Sequence, residues 1–295
     1  MRRGGRIEVV RHVRLSANLG RESLRGLLSP EALRGDGVSR IVIANRDYAR
    51  LAPELIRSLQ LNGIEVFNES RFLEEESRCI DIENDDLGAL LSERVFCQGP
   101  FEEIRKRLFD LLLATVMLIL AIPLMLLVAL LIKLDSSGPV MYRQERVGLR
   151  GRTFTLYKFR SMHQNAEADG APRWATIGDP RITRVGRFIR YARIDELPQL
   201  LNVLRGDMSV IGPRPERPYF VEQLSAAIPL YSLRHTVKPG ITGWAQVKAS
   251  YGASIEDGRE KLKYDLYYLK HRGMSLDLRI LLRTLRVVVL QEGAR

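Results

Sequence analysis

Two adjacent carboxylates, Asp195 and Glu196, sit in the run Arg193-Ile194-Asp195-Glu196-Leu197-Pro198-Gln199-Leu200. On a helix, neighbouring side chains point about 100° apart, so the two acids are suited to different roles. Pro198 favours the first turn of a helix, which puts Asp195 near a helix start. Two readings follow. Asp195 is a plain N-cap, or it is a reactive carboxylate. The second needs phosphate-binding cations and a helix N-terminus nearby, a setting that keeps the acid ionised and stabilises phosphate charge.

Candidate cations lie on both sides. In Tyr157-Lys158-Phe159-Arg160-Ser161-Met162, Lys158 and Arg160 are two residues apart and would share one face of a strand. Two cations held side by side suit a diphosphate; charges on a solvated strand are the plain alternative. In Ile211-Gly212-Pro213-Arg214-Pro215-Glu216, prolines flank Arg214 and Gly212 permits a tight turn. A rigid turn that presents one guanidinium can hold a phosphate, although it also reads as an ordinary turn. Arg181, Arg184, Arg187, Arg190 and Arg193 recur every third residue. On a helix each step of three drifts by about 60°, so the five cannot face one ligand. One or two would face substrate and others lipid phosphate, with Ile182, Val185, Phe188 and Ile189 as the apolar side of an amphipathic helix.

Something must hold these groups, and the chain offers an unusual support. Leu111 to Ile132 is 22 residues without a charge, and Thr115 is its one polar side chain. That length reaches into or across a hydrocarbon core of roughly 30 Å. Pro123 interrupts it and predicts a kink or break. Lys106 and Arg107 precede the run and Lys133 follows it, so the flanking charge does not choose a side. A helix that breaks at Pro123 and returns to the same face fits those flanks. A kinked spanning helix is the alternative, and a buried soluble helix fits poorly because the run is apolar on all sides.

Composition agrees with an enzyme at a membrane surface. The 295 residues leave room for two domains, and the formal net charge is +11. Between 140 and 220 there are 15 Lys/Arg against 8 Asp/Glu. Such a surface attracts lipid head groups, nucleotides or nucleic acid. No nucleic-acid-binding signature appears, and nucleic acid is not expected as a partner. The two cysteines, Cys79 and Cys97, form no metal pattern or disulfide framework, as in a reducing cytoplasm. Residues 1–98 read as an α/β unit: a strand at Arg40–Ala44, a helix at Asp47–Gln60 and a strand at Gly63–Phe67. It has no Gly-x-Gly-x-x-Gly, and its few strands suggest an incomplete sheet whose edge a partner, such as a second copy, would cover. Residues 104–134 form the membrane segment and 135–295 carry the candidate chemistry. Near the end, Ser275–Gln291 with Arg279, Arg283 and Arg286 reads as an amphipathic interfacial helix, or as plain core packing.

Taken in order, the motifs resemble one family. They are Lys106-Arg107-x-Phe109-Asp110 before the apolar run, Gly138-Pro139-Val140, Gln144-Glu145-Arg146-Val147-Gly148, Lys158 to Met162, and Asp179-Pro180-Arg181-Ile182-Thr183-Arg184-Val185-Gly186. Then come Asp195 to Leu200, Asn202 to Ser209, Gly212 to Glu216, and Lys238-Pro239-Gly240-Ile241-Thr242-Gly243-Trp244-Ala245-Gln246-Val247. Over about 104–295 the chain resembles the bacterial sugar transferases, monotopic phosphoglycosyl transferases of exopolysaccharide and O-antigen synthesis. The resemblance implies transfer of a sugar 1-phosphate from a UDP-sugar to undecaprenyl phosphate, with release of UMP. It implies Mg²⁺, held at Asp195 and Glu196, and covalent catalysis with Asp195 as nucleophile. Glu196 would assist the metal or the acceptor. Lys158, Arg160, Arg190, Pro213 and Arg214 fall at substrate-binding positions.

The implied fold is a partial Rossmann-like N-terminal unit, a re-entrant membrane helix, and a mainly helical α+β catalytic domain with interfacial amphipathic helices. The implied location is the cytoplasmic face of a bacterial inner membrane. The family's helix break is described as Ser-Pro, where this chain has Ile122-Pro123. Residues 1–98 match only the later half of the domain that longer members carry, as in a truncated product or a short form. A non-catalytic scaffold of polysaccharide assembly is the rival reading, and the sugar is not legible.

Overall fold

The computed structural model describes residues 28–48, 51–82, 99–164, 166, 179–249, 252 and 254–290, in two compact units, Met1–Asn84 and Asp85–Arg295. Cys97 and Gln291 lie outside the described residues, as does 83–98.

The first unit runs α1 (Pro30–Gly35), β1 (Arg40–Ile43), α2 (Asn45–Tyr48), α3 (Pro53–Leu61), β2 (Glu65–Asn68) and α4 (Glu69–Ser77). The strands pair in parallel, Arg40 opposite Glu65 and Ile43 opposite Asn68. One helix was expected over Asp47–Gln60 and two form. Pro53 lacks an N–H and starts α3 at its first turn. Gly63, at φ +77°, ends α3: its N–H donates to the Gln60 carbonyl, and that of Ile64 donates to the Leu59 carbonyl. Strand β2 therefore starts at Glu65 and not at Gly63. Leu33, Ile43, Leu51, Leu55, Leu59 and Ile64 form the core of this unit.

The second unit is built on α5 (Pro100–Asp135), 36 residues and roughly 54 Å long. After it come an antiparallel hairpin, β3 (Met141–Val147) and β4 (Thr153–Phe159), then α6 (Arg184–Tyr191), a 3₁₀ turn at Ile194–Glu196 and α7 (Gln199–Arg205). Strand β5 (Ser209–Ile211) pairs in parallel with β6 (Gly240–Thr242) across α8 (Pro218–Ala227) and a further 3₁₀ turn, Tyr231–Thr236. Helices α9 (Trp244–Lys248), α10 (Ile255–His271) and α11 (Met274–Leu290) close the unit, a mainly helical α+β arrangement as expected.

Helix α5 is long and apolar enough to cross a membrane by length and composition. Of the kink or break expected at Pro123, the helix shows no break and runs through that residue as one element. A proline removes one hydrogen bond and bends a helix locally, without ending it where the turns on either side are intact. Leu112, Ile119, Leu120, Leu126, Leu130 and Leu134 are all exposed.

Both ends of α5 are fastened to the second unit. At its start, Arg107 donates to the carbonyls of Val203 (2.6 Å) and Leu204 (2.9 Å), the last turn of α7. Buried Asp110 accepts from the Ser209 hydroxyl (3.0 Å) and the Val210 N–H (3.1 Å) and pairs with Lys106, which also meets Asp277 of α11. Ala114 lies in the main core with Leu156, Val203, Ile211, Trp244 and Ile280. At its far end, Val128 and Ile132 pack with Phe159 and Ile189 in a second core.

The face exposed by α6 differs from the expected one. Ile189 is buried and Val185 packs against the second core, but Phe188 is exposed with Tyr191, Arg184 and Arg187. Helix α11 joins both of its readings: Leu276 and Ile280 are core, whereas Leu278, Leu282 and Leu285 face outward. Arg283, expected on the surface, lies over the buried Trp244 ring at 5.0 Å.

Replacing Asp110 with Ala would leave the buried Val210 N–H without its acceptor, and would take from Lys106 one of its two carboxylates and from the Ser209 hydroxyl one of its two acceptors. The expected loss is about 3–5 kcal/mol in unfolding of the detergent-solubilised protein. A loss below about 1 kcal/mol would contradict this account of how α5 is anchored.

Candidate active site

Asp195 and Glu196 lie in the 3₁₀ turn ahead of α7, and both are buried. Arg193, just before it, takes the left-handed conformation at φ +57°, which swings the chain off α6 into the turn. Asp195 is not the N-cap of α7; that position is Pro198, and no side chain caps it.

Three elements deliver cations to this turn. Lys158 reaches from β4 to Glu196 Oε1 at 3.1 Å, and Arg214 reaches the same oxygen from the turn after β5 at 2.8 Å. Arg190, on α6, acts on Asp195 through space. Strand β4 is held to α7 by Asn202, which accepts from the Tyr157 N–H (3.1 Å) and donates to the Thr155 carbonyl (2.8 Å). Gly186 lets α6 press onto Ser161, whose carbonyl would lie 2.0 Å from a Cβ at that position.

The Arg214 turn is clamped at four successive carbonyls. Pro213 accepts from the Gly240 N–H (2.9 Å) and Arg214 from Arg234 (3.0 Å). Pro215 accepts from Arg146 (3.0 Å) and Glu216 from the Val147 N–H (2.9 Å). Gly212 is required here, since a Cβ would come 2.4 Å from the Lys238 carbonyl.

The two acids differ in charge state. Burial raises the Asp195 carboxyl, and the adjacent Glu196 charge adds to it; Lys158, Arg190 and Arg214 oppose, leaving it pushed up to about 6. Burial would raise Glu196 as well, but Arg214 and Lys158 together outweigh it and hold this carboxyl well below the usual range. Burial also lowers the Lys158 ammonium, an effect that Glu196 opposes. Glu196 is therefore a fixed anion that organises two cations. Among the described residues, Asp195 has no ion-pair partner within 4.0 Å, which leaves its oxygens available.

Four residues expected at the site, Asp195, Glu196, Lys158 and Arg214, are brought together, and Arg190 adds its field. Arg160 is not at the site. It is buried and caps the end of α5, donating to the carbonyls of Ser136 (2.7 Å) and Ser137 (2.7 Å) and to the Ser136 hydroxyl (3.0 Å). The last carbonyls of a helix lack internal partners, and a long guanidinium satisfies several at once. Gly138, at φ +116°, makes room for it, since a Cβ there would fall 2.1 Å from Arg160 Nη1. Pro213 is buried, with its carbonyl committed to Gly240. Arg181 is tied to buried Asp179 at 2.6 Å. Pro123 is exposed in the middle of α5. The roles of Asn202, Arg146 and Arg234 were not read from the sequence; the first two sit in quoted motifs, and Arg234 has no local signal.

Comparison with known proteins decides the family. The model of the family described as bacterial sugar transferase matches residues 101–291, most of the second unit. The chain belongs to the bacterial sugar transferase family. A relative in Aeromonas hydrophila, a UDP-N-acetylgalactosamine-undecaprenyl-phosphate N-acetylgalactosaminephosphotransferase, is 50% identical over 214 residues, 72% of this chain and 49% of the relative. The undecaprenyl-phosphate glucose phosphotransferase of Komagataeibacter xylinus is 43% identical over 201 residues, 66% of this chain and 38% of its own. In Caulobacter vibrioides, a UDP-glucose:undecaprenyl-phosphate glucose-1-phosphate transferase is 44% identical over 194 residues, 65% and 72% of the two chains. This family member spans about half the length, or less, of the first two relatives.

The raised Asp195 carboxyl has a sign that can be checked. A carboxyl raised from 3.8 to about 6 favours the folded state below about pH 4, and that contribution is lost as pH rises through 6. At pH 7 the ionised side chain costs the fold up to about 3 kcal/mol. Asp195→Asn should therefore raise the unfolding temperature at pH 7 and lose that advantage near pH 4. No gain at pH 7 would show that Asp195 is better solvated than its burial indicates.

Proposed function

We propose that the second unit transfers a sugar 1-phosphate from a UDP-sugar to undecaprenyl phosphate. The observation that carries this reading is one buried carboxylate without a close partner, Asp195, beside a second, Glu196, that holds Lys158 and Arg214. An Asp195 oxygen attacks the sugar-bearing phosphorus of the donor. The bond from that phosphorus to the bridging oxygen breaks, and UMP leaves with the electron pair. An oxygen of undecaprenyl phosphate then attacks the same phosphorus and restores the Asp195 carboxylate. The product is a lipid-linked sugar diphosphate, a starting unit for exopolysaccharide or O-antigen-type glycans. Dividing a transfer between two bulky anions into two displacements is the usual gain from a covalent nucleophile. Lys158, Arg190 and Arg214 offset charge on the diphosphate and on departing UMP.

The donor set suits Mg²⁺ in part. Asp195 and substrate phosphate oxygens would hold it, since Mg²⁺ commonly binds one or two carboxylates plus phosphates. Glu196 is a poorer ligand, because its Oε1 already faces two cations. The ion would neutralise phosphate charge when bound.

Helix α5 enters the bilayer and returns on one face in this reading, bending at Pro123. What supports it is the anchoring of both ends to one charged unit: a crossing helix would carry Arg107 and Asp110, or Ile132 and Asp135, to the far side from their partners. The site would then lie at the cytoplasmic face of the inner membrane, where a soluble nucleotide and a lipid phosphate can meet. The names of the relatives make UDP-N-acetylgalactosamine and UDP-glucose the first donors to test.

Purified protein given undecaprenyl phosphate, Mg²⁺ and a panel of UDP-sugars should release UMP with one donor. Asp195→Asn should reduce that rate at least about 1,000-fold. Without acceptor, a burst of one UMP per enzyme should appear. Folded protein that is silent with every donor would favour a scaffold. In active protein the rate should fall below about pH 6, as Asp195 takes up a proton, and approach tenfold per pH unit.

A further inference from the structure

Behind the Arg214 turn lies an ion pair that touches neither acid of the site. Arg234, in the 3₁₀ turn Tyr231–Thr236, and Asp265, on α10, are both buried. Four of the five N–H donors of the Arg234 guanidinium have named partners. Its Nε and Nη2 meet Asp265 Oδ2 at 3.1 and 2.8 Å, Nη1 donates to the Tyr231 hydroxyl at 2.6 Å, and Nη2 also donates to the Arg214 carbonyl at 3.0 Å. A desolvated pair of this kind is rarely more stable than apolar residues of the same volume. Of its contacts, Asp265 and Tyr231 make an internal cluster. The Arg214 carbonyl is the contact that leads out of it, and the Arg214 side chain ends 2.8 Å from Glu196.

We propose that Arg234, oriented by Asp265 and Tyr231, is a positioning residue that sets where Arg214 meets Glu196 in the site. Its fork geometry fits the task. One planar group grips a carboxylate, a phenol and a carbonyl in fixed directions, which neither a lysine nor an apolar residue can do. Arg214 has proline on both sides, so its backbone has little freedom, and a displaced carbonyl carries the side chain with it. The other three carbonyls of the turn are held by groups on β6 and β3, whereas Arg234, fixed by Asp265 of α10, holds the carbonyl of Arg214 itself. In its activity readout the inference rests on the function proposed above.

Arg234→Met alone would leave Asp265 buried and unpaired and is expected to unfold the protein. The informative variant is the pair Arg234→Met with Asp265→Leu, which should keep or raise the unfolding temperature. In that variant kcat should fall at least about tenfold when Arg214 is present. It should change less than about twofold in an Arg214→Ala background, because one pathway is removed only once. Wild-type kcat in the paired variant, or the same fold loss in both backgrounds, would overturn the inference. A structure of the paired variant gives a readout independent of turnover. The Arg214–Glu196 contact should open beyond hydrogen-bond distance, and a contact kept at 2.8 Å overturns the inference even if no donor is ever found. A wild-type protein silent with every UDP-sugar counts against the proposed function, and the contact still decides this point.

Discussion

One carboxylate oxygen organises this molecule. Glu196 Oε1 receives Lys158 from a hairpin and Arg214 from a proline-bounded turn, at 3.1 and 2.8 Å. Two cations held so close repel each other, and only the anion between them makes the arrangement stable. Every nearby element serves that triad. Asn202 binds β4 to α7, and β6 and β3 grip the Arg214 turn. Left-handed Arg193 turns the chain so that both acids follow directly. The neighbour of Glu196 is then placed among cations that are already committed, so Asp195 feels positive potential without being neutralised by contact.

The site was partly legible in the chain because its residues lie in short, dense motifs. Asp195, Glu196, Lys158 and Arg214 each stand in a run whose chemistry can be read locally. Arg160 shows where such reading stops. Period-two alternation placed it beside Lys158, but the unpaired carbonyls at the end of α5, distant in sequence, bound it more strongly. The roles of Arg234 and Asp110 were illegible for the same reason: beyond the neighbouring Tyr231 and Lys106, their partners Asp265 and Ser209 lie 31 and 99 residues away. Periodicity found the N-terminal strands to within a residue or two. It missed the division of the helix between them, where Pro53 restarts the chain.

Composition made the apolar run legible as one helix long and apolar enough for a membrane, but its behaviour at Pro123 was not legible. A proline states which hydrogen bond is lost and leaves open how many neighbouring turns absorb the loss. In this chain the turns on both sides hold, and the helix remains one element. What no composition shows is that the ends of that helix are part of the core of the second unit.

That last feature bears on how the protein is made. Ala114 and Val128 of α5 are core residues, and Asp110 supplies acceptors to β5. The second unit has no complete interior without α5. Trimming the apolar helix to obtain a convenient soluble protein would remove part of the interior instead of an appendage.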